Sequence, residues 1–196
     1  MDSITSRRSI RKYTSEPVSK DQIREMVEAA ILSPSAKNRQ PWKFLVYMNS
    51  QKDEILDVME TALENEKETH ALLPESAGGL ADAFNTLKIM REATALIMVL
   101  NTNGGSPFED INPDDRITEI CDTLSIGASI ENLLLKATEM GLGTLWIANT
   151  CFAYKDLTDY IGEKGQLIGA ISVGYAAENP NPRPRKKIED VLTFVE

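Results

Sequence analysis

Apolar positions along the chain repeat with helical and extended periods in alternation. Ser19-Lys20-Asp21-Gln22 has the spacing of a capping box. After it Ile23, Met26, Val27, Ala30 and Ile31 recur at i, i+3, i+4, i+7 and i+8, which predicts an amphipathic helix ending at Ser33-Pro34. Residues 43–48 follow as a strand, with Phe44, Leu45, Val46 and Tyr47 as β-formers. Residues 51–73 return to the helical period, acidic outside, with Ile55, Leu56, Met59 and Leu63 inside. A break at 74–79, with Gly78-Gly79 as hinge, leads to a helix over 80–91 that points Phe84 and Leu87 inward. The unbroken apolar run 94–100 suits a central strand. Residues 101–115 are rich in Gly, Pro, Asn and Asp and carry one aromatic, Phe108; they read as a loop, either a lid or a surface excursion.

The longest helical pattern runs over 117–140 and has two stripes, Ile117, Cys121, Leu124, Ala128 and Leu135, then Ile126, Ile130, Leu133, Ala137 and Met140. Two apolar stripes predict burial on two sides, in a central helix or against a second subunit. Gly141-Leu142-Gly143 ends it. A short strand over 144–147, a turn at 148–150, a helix over 154–161 and a strand over 167–175 complete the pattern, with a short helix over 2–8 at the start. Pro180, Pro182 and Pro184 then keep the tail extended, and residues 191–195 read as a last strand. A strand beyond a stiff arm can pair outside its own domain, the arrangement of a swapped dimer.

A length of 196 residues suits one domain, 1–196. The net charge of −9 argues against nucleic acid or an anionic membrane as partner. No apolar run is long enough to span a bilayer, and the start lacks the profile of a signal peptide. Cys121 and Cys151 have neither metal nor disulfide-framework spacing, which fits a cytoplasmic protein. His70, the only histidine, lies in a charged surface segment and receives no catalytic role. With no Ser/His/Asp or Cys/His set and no metal-ligand spacing, the chemistry of an enzyme here falls to a bound organic cofactor.

Against the negative background the arginine clusters carry information. Arg7, Arg8, Arg11 and Lys12 place four cations within six residues, with Ser9 among them. Arg183 and Arg185, two apart in an extended tail, face the same way. Guanidinium forks match phosphate oxygens, although a solvated basic patch has the same composition. Pro34-Ser35-Ala36-Lys37-Asn38-Arg39-Gln40-Pro41 offers the mixed donor and acceptor amides of Asn38 and Gln40 between two prolines, suited to the edge of a flat heterocycle or to an ordinary turn. Asn85 and Lys88 share a helix face. Gly141-Leu142-Gly143-Thr144-Leu145-Trp146 is not a dinucleotide fingerprint: the last glycine is missing and the order is helix to strand. Together the pieces describe a mononucleotide with a redox ring.

These segments, Arg7 to Arg11, Pro34 to Trp42, Asn85 with Lys88, Gly141 to Ile147 and Arg183-Pro184-Arg185, occur in the order that resembles the nitroreductase-like family of FMN-dependent oxidoreductases, over nearly the whole chain. The resemblance implies an α+β fold, a mainly antiparallel sheet flanked by helices, with the C-terminal strand exchanged in a homodimer that holds FMN at the subunit interface. It implies that Arg7, Ser9, Arg183 and Arg185 hold the phosphate. Arg8 and Arg11 reach the ribityl chain or the pyrimidine side, and Asn85 and Lys88 contact the pyrimidine edge. Pro34, Ser35, Ala36, Asn38 and Gln40 form the polar turn, with Pro34, Ser35, Ala36 and Asn38 contributed by the partner. Backbone groups at Trp146, Ile147, Ala148 and Asn149 lie near the reactive ring nitrogen. Some members carry an acidic residue and a glycine where this chain has Ala148-Asn149. No side chain is expected to be catalytic and no metal is expected. The implied activity is ping-pong transfer from NADH or NADPH to an electron-poor acceptor, a nitroaromatic, a quinone or a free flavin. Segments 61–80 and 101–116 choose the substrate in this family. Dehalogenation, azoline oxidation and flavin breakdown, or a flavin carrier or sensor without turnover, stay open as alternatives.

Overall fold

The structure, a computed structural model, describes residues 2–196. Four strands, β1 (Trp42–Met48), β2 (Ala95–Asn101), β3 (Gly143–Ile147) and β4 (Gln166–Gly174), form one antiparallel sheet in the order β1-β2-β4-β3. Six helices flank it: α1 (Ser3–Ser6), α2 (Lys20–Ile31), α3 (Asn49–Thr69), α4 (Leu80–Glu92), α5 (Pro113–Glu139) and α6 (Tyr154–Ile161).

Every residue of β2 is buried, as its continuous apolar run requires. Its side chains alternate between two cores. Leu96, Met98 and Leu100 pack with Ile55, Met59 and Leu87 of α3 and α4. Ala95, Ile97 and Val99 pack with Met26 of α2 and Ile126 and Ile130 of α5. Burying each of the larger side chains contributes about 1.5–3 kcal/mol. The capping box forms as the spacing predicts: Gln22 N–H donates to Ser19 Oγ at 3.1 Å and Ser19 N–H to Gln22 Oε1 at 2.9 Å.

The structure differs from the sequence expectations in four places. Helix α3 ends at Thr69, because His70 takes a left-handed φ of 49° and the buried Glu66 carboxylate captures the N–H groups of Leu72 and Leu73. Helix α5 begins four residues earlier than its apolar stripes, at Pro113. Asn112 accepts from Asp115 N–H, and Asp114 and Asp115 favour the positive end of the helix dipole. The first stripe of α5 is not buried: Ile117 is 62% and Leu124 70% exposed, while Ile126, Ile130 and Leu133 are fully buried. Residues 191–195 form no strand, and Val191, Leu192, Phe194 and Val195 are exposed. Strand pairing needs a free edge, and among the described residues this segment pairs with none.

The two sheet edges are treated differently. The outer edge of β3 is covered by the N-terminal arm through a parallel bridge between Ser9 and Thr144. The outer edge of β1 has no strand beside it among the described residues.

Candidate functional site

The N-terminal arm brings the two ends of the chain together. Ile10 N–H donates to Thr144 O of β3 at 2.9 Å. Tyr13 then bridges to Ala176, with Thr14 N–H on Tyr175 O and Ala177 N–H on Lys12 O, both at 2.9 Å. The approach depends on two glycines paired across β3 and β4. A Cβ on Gly143 would stand 2.9 Å from Ile10 Cγ1, and one on Gly174 would stand 2.8 Å from Tyr13 Cδ1.

Arg7, Arg8, Ser9 and Arg11 thereby meet Arg183 and Arg185 around a cleft of about 360 Å³. Among the described residues only Arg7 of these five arginines has a carboxylate within ion-pair reach, Glu131 at 3.3 Å. Arg8 turns back onto the carbonyls of Thr5 and Arg7, and Arg185 onto those of Arg183 and Pro184. Convergent like charges repel unless an anion lies between them. A cleft with this donor set fits a phosphate dianion.

A second groove of about 280 Å³ adjoins the first, and Arg7 and Ser9 line both. Its other walls are Glu131, Leu134, Thr144, Trp146 and Ala148. The strand alternation explains the indole: Leu145 and Ile147 point into the core, and Trp146, 43% exposed, points out. Ile147, buried in the core, does not line the groove. Asn149 Nδ2 donates to Asp82 Oδ2 at 2.7 Å, which ties the end of β3 to α4. Asp82, Asn85 and Lys88 share the exposed face of that helix. Burial pushes the Cys151 thiol up, so the neighbouring cysteine is a poor thiolate nucleophile.

The turn at 33–41 lines neither cavity. It is held about 9–14 Å along α5 from Glu131, counting 1.5 Å per residue, at Ser125, whose Oγ accepts from Ala36 N–H at 3.2 Å, and at Asp122. Lys37, Asn38 and Gln40 all have left-handed φ, 54°, 54° and 48°. Such strain persists only where neighbours enforce it. Ser35 Oγ accepts from Gln40 N–H at 3.0 Å, and Gln40 Nε2 donates to Asn38 Oδ1 at 3.3 Å. Both amide side chains are exposed, while Pro34 is exposed and Ser35 and Ala36 are half-buried. Of the residues expected from sequence, the structure gathers Arg7, Arg8, Ser9, Arg11, Trp146, Ala148, Arg183 and Arg185 around one continuous surface. It sets the 34–40 turn elsewhere on the chain.

The sequence reading omitted Glu131, Asp82, Asp122 and Asn103, and gave Arg39, part of the turn motif, no role of its own. Asp122 had a signal: a carboxylate one position from an apolar stripe of a long helix. It is fully buried, and Arg39 Nε and Nη2 each reach its Oδ1 at 2.7 Å. That hydrogen bond raises the Arg39 pKa above its ordinary value. Phe108, unassigned from sequence, packs edge-on against Tyr154 with ring centroids 5.5 Å apart, pinning the loop before α5.

The nitroreductase family model matches residues 4–175. YfhC of Bacillus subtilis, named as an NAD(P)H nitroreductase, is 30% identical over 194 residues, 98% of this chain and 92% of YfhC. A BluB-like flavoprotein from Clostridium difficile superposes with a TM-score of 0.79 at 25% identity, covering 100% of this chain and 98% of its own. A nitroreductase-type protein from Desulfovibrio desulfuricans, crystallised in complex with FMN, gives a TM-score of 0.72 at 25% identity, covering 99% of this chain and 95% of its own.

Proposed function

The chain belongs to the nitroreductase family, and we propose from that premise that it is an FMN-dependent oxidoreductase, taking reducing equivalents from NADH or NADPH and passing them to an electron-poor small molecule. The observation that carries this reading is the arginine cleft, assembled from opposite ends of the chain and continuous with the Trp146 groove. Bound FMN supplies the ring that accepts and gives up hydride. The protein's residues bind and orient. Arg7, Ser9, Arg183 and Arg185 hold the phosphate, and Arg8 and Arg11 reach towards the ribityl chain. Asn85 and Lys88 serve the pyrimidine edge, where a cation favours an anionic reduced ring. Backbone groups from Trp146 to Asn149 lie along the ring, so the Ala148-Asn149 departure removes no donor that a side chain must supply. The reductant leaves before a nitroaromatic, quinone or free flavin enters.

The reading includes a homodimer. Ile117, Ile120 and Leu124 present an apolar stripe of α5 left exposed by the described residues, and a second copy would cover it. The unpaired edge of β1 borders a groove of about 560 Å³ that Ile23, Val27, Ile31, Phe44, Val46 and Met48 line. The exposed apolar segment 191–195 of the partner fits this groove as an exchanged strand. The 34–40 turn then serves the flavin of the other subunit, which accounts for its distance from the arginines of its own chain. No helix among the described residues is long and apolar enough to cross a membrane.

An absorbance spectrum of the purified protein, before and after NADH or NADPH without oxygen, tests the reading. Flavin bands that bleach are expected. Bands that persist would leave a carrier or another reductant, and no bands after added FMN would overturn it.

A further inference from the structure

The buried Asp122 lies between two segments that the proposed chemistry leaves unconnected. Its Oδ1 accepts from Arg39 Nε and Nη2, both at 2.7 Å, and its Oδ2 accepts from Asn103 Nδ2 at 3.0 Å. Arg39 sits inside the strained turn, between Asn38 and Gln40. Asn103 stands at the base of the 102–112 loop, beside Thr102, whose N–H and Oγ1 both donate to Pro41 O, at 2.8 and 3.2 Å. Both carboxylate oxygens are therefore used, one on each segment.

Three further polar side chains of α5 follow Asp122, the first turned to the same turn and the other two to the end of α2. Ser125 Oγ accepts from Ala36 N–H, Ser129 Oγ donates to Ala30 O at 3.0 Å, and Asn132 Nδ2 donates to Ala29 O at 3.3 Å. Ser129 and Asn132 close the carbonyl end of α2, an ordinary structural duty. Asp122 differs from them. It is the only one that is charged, and the only one that also holds the 102–112 loop.

We propose that Asp122 is a positioning residue that couples the 102–112 loop to the Lys37–Gln40 turn, so that the loop's conformation sets how firmly the turn's amides are presented to the flavin edge. The proposal rests on the flavin reading of that turn. A left-handed backbone at three non-glycine positions relaxes unless it is clamped. Arg39 is the charged clamp beside the neutral contacts of Ser35, Ser125 and Thr102, and a charged hydrogen bond to a buried carboxylate is the strongest of them. Asn103 fixes the carboxylate plane that receives Arg39. Disturbing the loop then loosens the turn without touching it. Amide donors at the pyrimidine edge favour the electron-rich reduced ring, so a looser turn lowers the flavin potential.

The test compares Asn103→Ala, Asp122→Asn, their double variant and Ser129→Ala, reading FMN affinity, flavin midpoint potential and amide hydrogen exchange at 35–40 in the flavin-free protein. Asp122→Asn should weaken FMN binding about tenfold, lower the potential and speed exchange in the turn. Asn103→Ala should move all three the same way by about threefold in affinity, and the double variant should match Asp122→Asn rather than the product. Ser129→Ala should lower thermal stability and leave the potential in place. If Asp122→Asn does not fold, Arg39→Lys takes its place, since it keeps the charge and loses the fork. Asn103→Ala without effect on exchange or potential, or independent effects in the double variant, overturns the coupling. The pair Asn38→Ala/Gln40→Ala separates the two failures: if it changes neither affinity nor potential, the flavin reading of the turn fails, and if it changes both while Asn103→Ala does not, only the coupling fails.

Discussion

In the proposed reading, the arginine cleft and the 33–41 turn solve recognition in opposite ways. The cleft is made of long side chains on two extended arms, with Arg11, Arg183 and Arg185 exposed, Arg7 and Arg8 partly buried, and one ion pair among the five guanidiniums within the described residues. The turn is short and strained, and it is anchored to a buried carboxylate, to a buried serine and, through the carbonyl of Pro41, to the N–H and hydroxyl of Thr102. A phosphate is a diffuse, symmetric charge, and flexible cations can find it from several directions. A heterocycle edge reads donors and acceptors at fixed places, so its reader has to be rigid before the ligand arrives. Charge can be supplied by loose chain, whereas pattern needs packed chain.

The largest effect should come from the loose side. Replacing Arg183 and Arg185 with Ala should weaken FMN binding by at least ~100-fold, since each charged hydrogen bond contributes about 1.5–3 kcal/mol. The unfolding free energy of the flavin-free protein in urea should stay within about 0.5 kcal/mol of wild type, because neither side chain packs. Fluorescence titration with FMN at two salt concentrations checks the first half and urea unfolding the second, and the wild-type affinity should fall as salt rises. An unchanged affinity would leave the cleft without a phosphate role.

An intermediate effect should come from separating the two regions. Leu124→Glu places a charge on the exposed α5 stripe and should shift the protein to monomer by light scattering. The arginine cleft stays whole in each chain, while the partner's turn is withdrawn. FMN affinity should then fall on the order of 10–30-fold, the cost of two neutral amide contacts, and less than for the arginine pair. A dimer that persists would place the subunit contact elsewhere.

The smallest effect concerns the strain itself. Lys37 has φ of 54° and makes no ion pair among the described residues. Lys37→Gly should relieve the left-handed penalty and, after the entropy cost of glycine, stabilise the fold by up to ~1 kcal/mol. Chemical denaturation measures this. Destabilisation would mean that the turn is held less tightly than its contacts imply.

By itself the sequence determined the local elements and the chemistry of the ends. The capping box at Ser19, the continuous run of β2, the helical period of α2 and the clustered arginines depend on neighbours a few residues apart, where periodicity and propensity act directly. The family order of its motifs carried the antiparallel sheet and the cofactor class. The resemblance also implied that the two arginine clusters meet on one phosphate, but only tertiary structure decided how, with Ser9 reaching Thr144 and Tyr13 reaching Ala176 over two glycines. Tertiary structure alone decided which stripe of α5 faces the core, since both are apolar and only the packing of α2 and the sheet breaks the tie. It also left residues 191–195 without strand structure in the isolated chain, as pairing is a property of two segments and not of one. Asp122 shows the same division: its charge is visible in the sequence, but its function depends on Arg39, 83 residues away, and Asn103, 19 residues away.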